Sequence, residues 1–104
     1  MNWVKNKSAD QVGNVVVVYY VYMLKCCDKS YYTGYTVDLD KRMEAHEQGK
    51  GSKYVRSRSP FKLVYHEKFR NQKKALQREY AIKQLKRTEK ELLIKVEKKK
   101  LKKL

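Results

Sequence analysis

The chain has 104 residues, enough for one domain with a modest core. Its formal charge of +15, from 26 basic against 11 acidic residues, weakens a compact fold by self-repulsion and calls for a polyanionic partner, with nucleic acid expected ahead of an anionic membrane surface. The longest apolar run, 15–24, is short of the roughly 20 residues that a membrane-crossing helix needs, and no small-residue cleavage site follows it, so a soluble cytoplasmic protein is expected.

Residues 1–14 mix polar and small side chains around a lone Trp3, without period, and read as a loose N-terminal arm. From 15 to 27 the chain is β-branched and aromatic on both faces, the pattern of a strand covered on both sides and therefore central in its sheet. Cys26 and Cys27 close this run. Neighbouring strand residues point to opposite faces, so the two thiols are poorly placed to bridge each other. The absence of any other cysteine excludes a Cys-type zinc site, and no disulfide-linked partner is expected. Residues 28–30 read as a turn and 31–35 as a second strand. A three-residue loop of this kind sets Cys27 opposite Tyr31. Tyr22 and Tyr32 then share one side of the sheet, with backbones about four residues, or roughly 13 Å, apart.

Asp38 suits the cap of a first helix that runs to Gln48 and stops at Gly49. Leu39 and Met43 share its apolar stripe, with Arg42 and His46 as an i, i+4 pair beside it. Residues 49–60 form a basic loop holding Lys50, Lys53, Arg56 and Arg58, with Tyr54 interleaved and no acidic residue. A third strand over 61–69 alternates Phe61, Leu63 and Tyr65 with Lys62, Val64 and His66. Asn71 caps a second helix that reaches to about residue 87. On it Glu79 shares a stripe with Ala75 and Ile82, and a carboxylate facing inward needs either a metal or a cation such as Arg42 or a lysine. Thr88 followed by Glu91 reads as a capping box that opens a third helix, and its lysine-dense end over 95–104 as a fraying tail. Residues 73–103 hold 13 basic and 4 acidic residues, a net of +9, so nucleic-acid contacts are expected on these helices, Lys83 included, as well as on the loop. The expected fold is α+β: a small three-stranded, largely antiparallel sheet flanked by helices in the order ββαβαα. The domain occupies 15–94, between the arm 1–14 and the tail 95–104.

The order Tyr20-Val21-Tyr22, then Tyr32-Thr33-Gly34, then a helix with Arg42 and His46, then Glu79, resembles the GIY-YIG nuclease family. In particular it resembles the small stand-alone bacterial members, over about residues 17–93. The resemblance implies a divalent-metal-dependent endonuclease, expected to act as a monomer on DNA rather than RNA, in DNA repair or processing. Within it Tyr22 and Tyr32 match the signature tyrosines, one of which acts as base or holds the attacking water. Arg42 matches the arginine that binds the scissile phosphate, and His46 a position where relatives carry histidine or tyrosine. Glu79 matches the ligand of a single Mg2+ or Mn2+ ion. A free tyrosine ionises near pH 10, so Arg42 and a metal would have to lower that value for either to act as a base. Tyr20 stands where the family name has glycine, and Tyr35 where some relatives carry lysine. No second domain is expected after Thr88, so the target of larger relatives does not carry over. Composition fits equally a non-catalytic nucleic-acid-binding module, or a basic protein that docks on a ribonucleoprotein or an acidic partner. Only the joint presence of Tyr22, Tyr32, Arg42, His46 and Glu79 favours the nuclease.

Overall fold

Residues 16–102 are described by a computed structural model, and the expected arm 1–14 lies outside them. Tyr19–Cys26 forms β1, Tyr31–Thr36 β2 and Phe61–Phe69 β3, in one antiparallel sheet of order β2-β1-β3. Leu39–Glu47 is α1, Lys53–Arg56 α2, Gln72–Gln84 α3 and Arg87–Lys102 α4. The order of the main elements is the expected one, with a further short helix, and the apolar strand is central because both its faces are covered. Its even-numbered residues Tyr22 and Leu24 pack with Val55 against Leu39 and Met43 of α1. Its odd-numbered residues Val21 and Met23 pack with Tyr65, Ala75, Ile82 and Ile94, beneath α3 and α4.

The turn after β1 differs from expectation by one residue. The Cys26 amide donates to the Ser30 carbonyl at 2.9 Å, and the Lys29 amide donates back to Cys26 at 2.8 Å, so the loop is Cys27 to Lys29. Lys29 takes the left-handed backbone (φ 71°) that ends such three-residue loops, and Asp28 pins the far side through Ser30. The register becomes Lys25 opposite Tyr31 and Leu24 opposite Tyr32. Tyr22 and Tyr32 do lie on one face, but only two residues apart along the ladder instead of four.

Three further details were not as expected. The basic stretch 49–60 contains α2, capped by the Ser52 hydroxyl accepting from the Val55 amide. The register of β1 on β3 slips between Met23 and Leu24, so Val64 joins Tyr65 on the α3 side while Phe61 turns to the Tyr22 side. The α3 helix ends at Gln84, and the box that opens α4 is formed by Glu89 accepting from the Lys86 amide at 2.8 Å, two residues before the expected pair Thr88 and Glu91. The lysine-rich stretch beyond 95 is helical as far as Lys102. The caps at Asp38 and Asn71 are as expected, each side chain accepting from the amide three residues on. No helix among the described residues is long and apolar enough to cross a membrane.

Candidate active site

Tyr22 sits at the middle of the central strand and is 1% exposed. Its ring lies across Gly34 of β2, so closely that a Cβ at that position would overlap the Tyr22 hydroxyl and Cζ. Glycine is needed there for this approach. The Tyr22 hydroxyl lies 2.8 Å from Nε2 of His46, which the second half of α1 delivers from above the sheet. His46 is itself fully buried. Edge-on rings of Tyr22, Tyr32 and Phe61 surround it at 5.5–5.9 Å, and the backbone of Gly51 closes on its Nδ1 side. Tyr32, half-buried, packs on Tyr22 with ring centres 6.3 Å apart.

Burial pushes the Tyr22 hydroxyl well above the ordinary tyrosine value; Tyr32 and Glu79 add to the rise and the Arg42 charge opposes it. Burial, and then Arg42, push His46 below its ordinary value of 6.5. At neutral pH the pair is therefore a neutral phenol against a neutral imidazole. Among the described residues His46 Nδ1 has no hydrogen-bond partner, and neither has the buried Thr33 hydroxyl one residue before Gly34.

Arg42, one turn before His46, is half-buried, and no ion pair among the described residues involves it. Glu79 comes from α3. That helix packs on the opposite face but leans over β2, where its Gln72 amide donates to the Tyr35 hydroxyl at 3.0 Å. The Glu79 side chain is 19% exposed and pairs with Lys83 at 3.2 Å, so its cation is a lysine one turn on and not Arg42. Of the five residues singled out from the sequence, Tyr22, Tyr32 and His46 touch one another, whereas Arg42 and Glu79 bear on the Tyr22 hydroxyl through their charges alone.

The residues expected to grip nucleic acid divide. Lys50, Lys53 and Arg56 are exposed and free of ion pairs among the described residues. Arg58 is committed to the fold: its guanidinium pairs with Asp28 at 3.0 Å, donates to the Tyr54 carbonyl and lies 3.8 Å over the Tyr54 ring. Tyr54 in turn stacks on Tyr32, with ring centres 5.9 Å apart, and so buttresses the site. Sequence reasoning missed Gly51 and Phe61 as walls of the His46 pocket. The Gly-Lys-Gly run just past α1 was the available signal for Gly51; nothing local marks Phe61.

Comparison with known proteins places the fold in a family. A family model described as the GIY-YIG catalytic domain matches residues 18–92. A UPF0213 protein of Oceanobacillus iheyensis is 55% identical over 76 residues, which cover 73% of this chain and 88% of that protein. One of Clostridium perfringens is 56% identical over 75 residues, covering 72% and 81%. The solution structure of the UPF0213 protein of Bacillus halodurans superimposes with a TM-score of 0.52 at 47% identity, covering 76% of this chain and 84% of that one.

Proposed function

The chain belongs to the GIY-YIG family, and from that membership we propose that it is an endonuclease that hydrolyses phosphodiester bonds in nucleic acid, DNA before RNA, with a divalent metal ion. The observation that carries the reading is the buried Tyr22–His46 pair, 2.8 Å from Oη to Nε2, with a half-exposed tyrosine in front of it. Tyr22 is too strongly desolvated to act as a free phenolate, and His46 is kept neutral, so the base is the pair and not either residue alone. Tyr32, the outer member, faces the attacking water. As the water oxygen bonds to phosphorus and the bond to the leaving alkoxide breaks, the proton of the water passes to the Tyr32 oxygen. The Tyr32 proton passes to Tyr22, and the Tyr22 proton to Nε2; the alkoxide takes a proton from solvent. Arg42, without an ion pair among the described residues and beside this chain of hydroxyls, offsets the charge that builds on the phosphoryl oxygens.

Glu79 suits a metal of the magnesium kind. No group of three His, Cys, Asp or Glu side chains that could hold an ion occurs among the described residues, which rules against a dedicated protein cage there. An ion that keeps most of its waters and leans on one carboxylate plus the substrate phosphate needs no more than Glu79. Once bound it would supply Lewis-acid stabilisation of the phosphoryl oxygens. Lys83, 51% exposed, leaves Glu79 at little cost.

The test is Glu79→Ala, assayed for cleavage of labelled single-stranded, duplex and flapped DNA with manganese and then with chelator. Cleavage should disappear while binding holds or strengthens, because a negative charge is removed from a surface that meets a polyanion. Stability should change by less than about 1 kcal/mol, since the partner lost is a half-exposed lysine. A variant that cleaves as well as the parent would overturn the reading.

A further inference from the structure

α3 has two unlike flanks. With about 100° between successive residues, Arg78 lies about 60° to one side of the buried Ala75, and Glu79 and Gln72 about 40° and 60° to the other. The contacts agree: Arg78 reaches Glu67 on β3, and Gln72 reaches Tyr35 on β2. Continuing past Glu79 on the β2 side come Lys83 at about 80°, Leu76 at about 100°, Tyr80 at about 140° and Lys73 at about 160°. Tyr80 is 68% exposed and Leu76 42%, two large apolar side chains left in water between two lysines. Lys83 is the partner of Glu79, so the strip begins at the candidate metal ligand and leads away from it.

An aromatic face set among cations fits a ligand that offers bare rings and phosphates together. Duplex DNA offers only its phosphates, because its base faces are stacked inside. Resting on the nuclease reading above, we infer that this flank of α3 is a stacking platform for unpaired nucleotides, so that the substrate passes the site as single strand. Tyr80 takes a base face, Leu76 packs beside it, and Lys73 and Lys83 meet the flanking phosphates. The site then prefers single strands, flaps and frayed ends to continuous duplex, and Tyr80 sets that preference without touching the scissile bond.

The experiment measures binding of a labelled single-stranded oligonucleotide, and of the duplex of the same sequence, in chelator, so that cleavage plays no part. Tyr80→Ala should weaken single-strand binding by about 5- to 150-fold, the stacking of one base, and leave duplex binding unchanged. Tyr80→Phe, which keeps the ring, should bind both like the parent, and thermal melting of both variants should match the parent because the side chain is exposed. Single-strand binding unmoved by Tyr80→Ala, as expected if the strip serves an acidic protein instead, overturns the platform. Equal weakening on both nucleic acids does so too. A parent chain that binds neither nucleic acid overturns the nuclease reading along with the platform, whereas binding that ignores Tyr80 overturns the platform alone.

Discussion

Tyr22→Phe removes one oxygen from the centre of the molecule and tests structure and chemistry together. The ring still fills its place over Gly34, so the apolar packing of the strand is kept. His46, however, loses its hydrogen bond at Nε2, and its Nδ1 has none already, which leaves a fully buried imidazole without a partner among the described residues. Stranding one buried polar group costs about 1–3 kcal/mol. In a chain of this size each kcal/mol lowers the melting temperature by roughly 4–8 °C, so a fall of at least about 4 °C is expected. Cleavage should drop by about 10²–10⁴, the usual loss when a general base is removed. Melting is followed by circular dichroism and cleavage by single-turnover assay with manganese. The cause is isolated by a second variant: in Tyr22→Phe/His46→Leu the stranded ring is gone, so the double variant should melt above Tyr22→Phe while remaining inactive. A Tyr22→Phe protein that melts and cleaves like the parent would falsify the reasoning, and so would a double variant whose losses simply add.

Two further outcomes follow from the same geometry. Gly34→Ala places a methyl inside the Tyr22 hydroxyl, so it should cost about 1–3 kcal/mol and reduce cleavage as Tyr22 is driven off His46; normal activity at normal stability would contradict the packing. Because burial and Arg42 hold His46 below 6.5, the native state refuses a proton that the unfolded chain accepts near that pH. Stability should therefore be fully present above about pH 6.5 and fall as the pH drops from there toward the depressed native value, the acid limb of cleavage should lie below 6.5, and His46→Leu should remove its share of the stability loss in denaturant titrations at several pH values.

Much of the fold was legible because it is written in short-range terms. The caps at Asp38 and Asn71, the stop at Gly49 and the bounds of β3 depend on side chains acting on backbone a few residues away, and each is where the residues put it. The order of Tyr22, Tyr32, Arg42, His46 and Glu79 likewise marked out the candidate site as a list. What tertiary structure alone decided is how these parts meet. The hairpin loop moved by one residue because Lys29 accepts a left-handed backbone and Asp28 ties Ser30, and that small shift brings Tyr32 from four ladder positions to two from Tyr22. The bulge opposite Met23 and Leu24 turned Phe61 toward His46, against a regular alternation. Glu79 took Lys83 as its partner, leaving Arg42 unpaired among the described residues. Tyr22 and His46, 24 residues apart, acquire opposite pKa shifts only when the sheet and α1 close over both. Periodicity and capping are settled by neighbours within a turn or a strand pair, whereas burial, and with it the protonation of a site, depends on every element that packs around it.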